Sequence, residues 1–163
     1  MESQPVANPT LHALVQRFAE SDCCWFSSVR PDGRAHSVPI WHVWYQGRIF
    51  IITDPESVKV SNIQHHPAIV VTHPDPLNPI IVEGTARLAP DRLPEISSRF
   101  QAKYAWDPTE DVQYGAVLEI APSKLMAWGQ HGEGRWSGDE VMQIVLGQVM
   151  EPSGASPISP FSG

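Results

Sequence analysis

Short β-prone segments, each ended by a turn signal, constrain the fold of this chain more than any other feature of its sequence. Aromatic and β-branched residues dominate the stretches 21–29, 35–45, 48–53, 68–73 and 80–88 and, joined around Pro122, the stretches 114–121 and 124–128. Pro31 presets φ and Gly33 accepts positive φ, so the first two stretches form an antiparallel hairpin. The pattern predicts a mainly β protein, a six-stranded antiparallel β-barrel with short α-helices at its openings.

Helices are predicted at three places between and before these strands. Leu11, Leu14 and Phe18 recur at helical spacing after Asn8 and Thr10, either of which can cap the first turn. A short helix is expected at residues 57–64, and a longer one follows Pro90. We predict one domain at residues 1–138 and a partly irregular C-terminal extension at residues 139–163, where Ser, Pro and Gly leave little to bury.

Charge and hydropathy exclude several classes of partner. The net charge is −7, and the 11 Lys and Arg residues are spread along the chain, which argues against a nucleic-acid or anionic membrane surface. No apolar run approaches the length of a membrane span, and residues 1–9 lack the features of a secretory signal. We therefore expect a cytoplasmic protein. No HExxH or CxxC spacing occurs, and no metal site is predicted.

The segment from Thr53 to Lys59 has the composition of a phosphate-binding corner. It places a hydroxyl at a strand end, Ser57 at a helix N-terminus and a cation just inside the helix, so that a donor, backbone amides and positive charge converge. The alternative interpretation is that Thr53 ends a strand, Ser57 caps a helix and Lys59 is solvated. The spacing alone does not decide between the two interpretations.

A proline within a strand marks a second candidate region, from Val38 to Trp41. Pro39 removes one ladder donor, which indicates an edge, a bulge or a place where another group lies against the backbone. A planar ring can fill that place, with backbone groups bonding its polar edge and Trp41 covering its face. A core strand with an ordinary bulge is the alternative. Trp128 is likewise compatible with a core position or a ligand wall.

Taken in order, these segments resemble the pyridoxamine 5′-phosphate oxidase-like split-barrel flavoproteins, which include deazaflavin-dependent reductases. The resemblance covers residues 11–136 and rests on residues 50–53 with 57–59, the His66–Pro67 pair, the Val82 to Ala86 strand, and residues 124–130. It implies a split barrel that forms a homodimer and binds flavin mononucleotide (FMN) in two clefts between the subunits.

The resemblance also assigns roles to residues of this sequence. It implies that Thr53 and Lys59 hold the phosphate, that Trp128 closes the cleft from the partner subunit, and that Arg135 faces a small-molecule substrate. The implied cofactor-binding set is His36, Ser37, Val38, Pro39, Ile40, Trp41, Ile52, Thr53, Ser57, Val58, Lys59 and Trp128.

Departures from the family pattern narrow the expected function. Val58 stands where family members often carry an arginine, Pro79 where a glutamine is common, and His36 where the oxidases have an arginine. The residues with which the true oxidases bind pyridoxal phosphates are missing. Oxidation of pyridoxamine 5′-phosphate is therefore not expected. The expected function is an FMN-dependent oxidoreductase. The alternatives are an F420-dependent reductase and a non-enzymatic flavin- or haem-binding protein. The candidate haem ligands are His65, His66, His73 and His131.

Overall fold

The computed structural model describes residues 8–147 of the chain. The elements follow in the order α1 Pro9–Glu20, β1 Cys24–Val29, β2 Ala35–Ile40, β3 Val43–Tyr45, β4 Arg48–Thr53, α2 Val58–His65, β5 Ala68–Thr72, β6 Ile80–Leu88, α3 Leu93–Tyr104, β7 Ala116–Ala127, β8 Gly134–Ser137 and α4 Gly138–Met142. Short 3₁₀ turns lie at Pro90–Arg92 and Pro108–Glu110. None of the described helices combines the length and hydropathy needed to span a bilayer.

All the strands pair antiparallel in one sheet, in the order β2-β1-β5-β6-β7-β4-β3, with β8 added alongside β7. The two edge strands β2 and β3 are joined by only two residues, Trp41 and His42. Three Cα–Cα steps span at most about 11 Å, so the two ends of the sheet must lie close together. The sheet is therefore curled into a half-barrel, as the strand pattern and the family resemblance predicted.

Strand β4 separates two hydrophobic cores because both of its faces are buried. Ile49 and Ile51 contribute to the interior of the curled sheet, which α1 closes with the buried residues Leu11, Leu14, Val15 and Phe18. Phe50 and Ile52 face the other way, into a smaller core beneath α3. The helix α1 begins as predicted, with Asn8 Oδ1 accepting from the amides of Thr10 at 3.0 Å and Leu11 at 3.1 Å.

The sheet has eight strands where six were predicted, and local hydrogen bonding explains part of the difference. The expected strand 35–45 is interrupted at His42, whose N–H donates to Tyr104 Oη at 3.1 Å and whose carbonyl accepts from Lys103 Nζ at 2.8 Å. Side chains of α3 thus replace strand partners at this point. The strand β8 was not predicted, since Gly132 and Gly134 indicated a loosened chain.

The two last predicted strands are one continuous strand, β7, in which Pro122 sits at an irregularity. The register between β6 and β7 shifts between Glu83 and Gly84, and Gly84 lies opposite Pro122. A strand proline is tolerated at such a bulge. The first residues of the predicted extension belong to α4, and Val141 and Ile144 pack in the main core. Residues 148–163, including most of the predicted extension, lie outside the described residues.

The bulge depends on the missing side chain of Gly84. A Cβ atom at this position would lie 2.5 Å from the carbonyl oxygen of Ala121, which is backbone and cannot rotate away. Replacing Gly84 by alanine is expected to lower the free energy of unfolding by about 1–3 kcal/mol, since β6 and β7 must separate. Gly115→Ala is the matched control, because a Cβ there meets nothing within 4 Å. Chemical denaturation of both variants tests this, and equal stabilities would contradict it.

Candidate functional site

The predicted phosphate-binding residues meet where β4 ends and α2 begins. Thr53 is the last residue of β4, Ser57 precedes the first residue of α2, and both are buried. Thr53 Oγ1 donates to Ser57 Oγ at 3.5 Å, a long contact. The Ser57 side chain makes no capping hydrogen bond to α2, so it is not engaged with the first-turn amides. These hydroxyls and amides are the groups that a bound anion requires.

Lys59 completes this corner and is buried, contrary to the alternative of a solvated lysine. Its exposed fraction is 0%, whereas the neighbouring Val58 is 41% exposed. Burial lowers the pKa of Lys59 to about 8, and the nearby carboxylate of Asp54 opposes that change. A buried ammonium carries a desolvation cost that a bound anion can offset. The lysine is therefore held in an environment in which negative charge would stabilise it.

Three further polar side chains accompany this corner, two on the hairpin of β1 and β2 and one on α2. Ser28 is paired with His36 in the sheet register, and Asn62 of α2 donates through Nδ2 to Ser28 Oγ at 3.0 Å. Burial, together with the positive charges of Arg30 and Lys59, lowers the pKa of His36. His36 and Lys59 are thus close enough to interact electrostatically.

Two buried polar atoms in this group have no hydrogen-bond partner among the described residues. They are Nδ1 of His36 and Oδ1 of Asn62. Buried polar atoms are rarely left unpaired, because each costs about 1–3 kcal/mol of desolvation. A buried cation, a buried amide acceptor and a buried ring nitrogen that donates or accepts together fit a ligand that combines a phosphate with hydroxyl groups. The residues present therefore fit a mononucleotide-like group.

The remaining predicted residues of β2 divide between two faces of the strand. Val38 and Ile40 lie opposite the buried residues Phe26 and Cys24 and pack in the main core. Ser37 and Pro39 lie on the outer face, where Pro39 is paired with Trp25, a tryptophan that is 45% exposed. The outer face of this edge strand is thus the part of the segment that remains accessible.

Trp41 is 9% exposed, and its ring already has a stacking partner within the chain. The ring lies 4.4 Å from that of Tyr104 at an interplanar angle of 3°, and Trp106 contacts it edge-on. The adjoining Ile52 packs in the same small core. Trp41 therefore presents little free surface to a ligand of the same subunit, although it supports the strand on which Pro39 lies.

Trp128 and Arg135 come together near β8, several strands away from β2. Both line a shallow depression with Met126, Glu133 and Gly134, and Trp128 is 50% exposed. Pairings across the outer face connect Pro39 to Arg135 through five strand-to-strand steps, which is about 24 Å along the sheet. In one subunit, the residues assigned to the cleft by the family resemblance thus form two separate groups.

Two of the histidines considered for haem lie near each other, since His131 helps to lower the pKa of His73. The described residues contain no group of three His, Cys, Asp or Glu side chains that could hold a metal ion. His65 and His66 are exposed at the end of α2, with His65 Nδ1 2.9 Å from the carbonyl oxygen of Ser61. His73 is buried, and that burial lowers its pKa to about 4. His131 is exposed in the loop before β8.

The family model described as pyridoxamine 5′-phosphate oxidase matches residues 10–129, the span that contains the curled sheet and the corner at Lys59. The chain belongs to this family. No protein of curated function matches the sequence. The family assignment confirms the predicted resemblance, and it places the corner and β2 within the region that the family shares.

Solved structures with the same fold come from proteins named for different ligands. A haem-binding protein from Mycobacterium smegmatis aligns with a TM-score of 0.66 and 13% identity, over 86% of this chain and 62% of that one. A pyridoxamine 5′-phosphate oxidase-related, FMN-binding protein from Nostoc punctiforme gives 0.55 and 19%, over 76% and 83%. An F420 reductase gives 0.54 and 18%, over 68% and 94%. At these identities the similarity shows the fold alone.

Ser28 and Asn62 were not predicted as site residues from the sequence, although local patterns bring both near the corner. Asn62 follows Lys59 by three residues, which brings the two side chains to one face of a helix. Ser28 lies opposite His36 in the hairpin that Pro31 and Gly33 predict. Pairing the two strands outward from that predicted turn would have placed Ser28 opposite His36. The unpaired state of Asn62 Oδ1, in contrast, has no sequence signal.

Proposed function

We propose that this protein is an FMN-dependent oxidoreductase that acts on a small molecule. The proposal is carried by the buried Lys59, which belongs to the first turn of α2, the helix that follows the buried hydroxyls of Thr53 and Ser57 in the chain. A cation this enclosed is further stabilised when an anion lies against it. Phosphate suits the corner because it can accept from the ammonium, the hydroxyls and the helix amides together.

The neighbouring unpaired atoms favour a phosphate that carries a polyol chain over inorganic phosphate. His36 Nδ1 and Asn62 Oδ1 are buried, and neither has a partner in the described chain. Hydroxyl groups both donate and accept, so the ribityl chain of FMN is able to satisfy the two atoms. The outer face of β2 at Ser37 and Pro39 would then lie beside the isoalloxazine ring.

We propose that the cofactor is bound between two copies of the chain. In one subunit, Trp128 and Arg135 are about 24 Å along the sheet from the outer face of β2. Two-fold pairing of subunits brings such separated patches together, because an isologous interface places residue i of one chain against residue j of the other. In this arrangement Trp128 of one subunit covers the ring held by its partner, and Arg135 faces the substrate.

When bound, the flavin supplies hydride or electron transfer, and the protein supplies position, electrostatics and exclusion of water. Lys59, Thr53 and Ser57 anchor the phosphate, and β2 fixes the ring edge through its backbone. The guanidinium of Arg135 is exposed and suits an anionic substrate. Because Val58 stands where many family members have an arginine, the phosphate is held by fewer cations here.

F420 and haem are the two competing ligands, each favoured by one observation. The similarity to an F420 reductase and the missing arginine at Val58 favour F420. The similarity to a haem-binding protein favours haem, although His65, His66, His73 and His131 are not gathered into one group. We propose FMN because its terminal phosphate carries about two negative charges, which suit the ammonium, hydroxyls and helix amides of the corner at Lys59.

An absorbance spectrum of the purified full chain distinguishes the three ligands. Flavin absorbance bands are expected, and denaturation is expected to release a compound with the mass of FMN. The physical reason is that a phosphate in the corner offsets the desolvation of Lys59, so that FMN is retained through purification. A Soret band, or a released mass matching F420, would contradict the proposal.

The role of Lys59 is tested by comparing FMN with riboflavin, which lacks the phosphate. Lys59→Met keeps the length and apolar stem of the side chain and removes its charge. We expect FMN binding to weaken by roughly tenfold to a hundredfold, corresponding to the loss of a charge-assisted hydrogen bond, while riboflavin binding is unchanged. Titration calorimetry measures both. Arg34→Met, at an exposed turn, is the control, and equal losses for the two ligands would refute the assignment.

The same lysine predicts how FMN affinity depends on pH. The pKa of Lys59 is about 8 in the free protein, and a bound phosphate raises it because the anion favours the charged amine. Affinity is therefore expected to be constant near pH 7 and to fall above pH 8, approaching about tenfold per pH unit. Lys59→Met is expected to abolish this dependence. A parallel decline in wild type and variant would show that another group is responsible.

A further inference from the structure

A second cavity, separate from the proposed cofactor site, lies between α1, α3 and the free edge of β3. Its volume is about 420 Å3, within the range of about 300–1,000 Å3 usual for small-molecule sites. None of the residues assigned to the flavin site lines it. Its walls are mainly apolar and include Val15, Ala19, Val43, Trp44, Ile144 and Leu146.

The exposed edge of β3 contributes backbone hydrogen-bonding groups to this cavity. Gln46 and Gly47 both have positive φ, at 51° and 74°, which is the geometry of a two-residue type I′ hairpin turn. In such a hairpin the flanking pair, Tyr45 with Arg48, is hydrogen-bonded, and the next pair, Trp44 with Ile49, is not. The N–H and C=O of Trp44 therefore point away from β4, on the side of the strand that no other strand within residues 8–147 pairs with.

The indole of Trp44 provides a further donor. Trp44 is 7% exposed and lines the cavity, and its Nε1 is buried without a hydrogen-bond partner among the described residues. An indole N–H can only donate, so the group that completes it must be an acceptor. Phe18 contacts the same ring edge-on, with centroids 5.4 Å apart, and fixes its orientation.

Two cations of α3, one turn apart, also line the cavity. Arg99 lies with its guanidinium carbon 3.7 Å from the centroid of the Tyr45 ring, and within the described chain it forms no hydrogen bond or ion pair. Lys103 is buried and uses one of its three donors on the carbonyl of His42, at 2.8 Å. No carboxylate forms a salt bridge with either cation in residues 8–147. The cavity is thus mainly apolar, with two cations on the α3 side and hydrogen-bond donors on the β3 side.

From this arrangement we infer that the cavity binds an apolar carboxylate, with the aliphatic or aromatic body against the α1 wall and the carboxylate toward Arg99, Lys103 and the Trp44 indole. A carboxylate supplies acceptors only, which matches the donors present. Arginine pairs with carboxylates in a bidentate manner, and burial strengthens such bonds. The inference does not depend on the flavin, because the two sites share no residue.

Titration calorimetry with decanoate tests the inference on the full-length chain, with FMN in excess so that the phosphate corner is not available to the probe. We expect saturable binding of decanoate and weaker binding of 1-decanol, which has the same body without the charge. Arg99→Gln is expected to weaken decanoate binding roughly tenfold or more, since it removes a charge-assisted hydrogen bond. Arg34→Gln, at the exposed turn between β1 and β2, is expected to leave it unchanged.

Trp44→Phe provides a second, independent variant, because it retains an aromatic ring and removes only the indole donor. Decanoate binding is expected to weaken several-fold in this variant, whereas 1-decanol binding is kept. Absence of decanoate binding up to about 1 mM would overturn the inference, as would equal affinities for decanoate and 1-decanol. Identical affinities in Arg99→Gln and Arg34→Gln would overturn it as well.

Discussion

The closure of the sheet at Trp41 and His42 is the constraint on which the rest of the structure depends. Two residues connect the strands at opposite ends of the sheet order, so the sheet must curl, and their peptide groups lack a neighbouring strand. Helix α3 satisfies them, through Tyr104 Oη and Lys103 Nζ on the backbone of His42. The stack of Trp41 on Tyr104 adds an apolar contact at the same point. This junction positions β2 on one side and β3 on the other.

Both proposed sites depend on buried amines that the closed fold keeps away from water. Lys59 lies at the start of α2 and Lys103 on α3, and burial lowers the pKa of each to about 8. A buried ammonium is unfavourable by itself, and a protein retains one where hydrogen bonding or an anion compensates it. At Lys103 a backbone carbonyl supplies part of that compensation. The corner at Lys59 is where we propose that a phosphate supplies it.

The sequence predicted the helices α1 and α2, most strand positions and the turn at Pro31 with Gly33, because these follow from short-range periodicity and backbone preference. It also located Thr53, Ser57 and Lys59 as one group, since they are close in the chain. It did not predict the break at His42, because that break is produced by side chains about 60 residues away. The sequence also predicted an interruption at Pro122. That β7 continues through Pro122 as one strand depends on Gly84, its partner on β6.

The amino-acid sequence by itself determined the class of fold, the family and the local corner at α2, because each of these depends on residues that are neighbours in the chain. Only the tertiary structure decided that Lys59 is buried, that His36 and Asn62 have unpaired buried atoms, and that Arg99, Lys103 and Trp44 share a cavity. Burial and hydrogen-bond satisfaction depend on contacts between distant segments. They are therefore settled only when the sheet closes and the helices cover its openings.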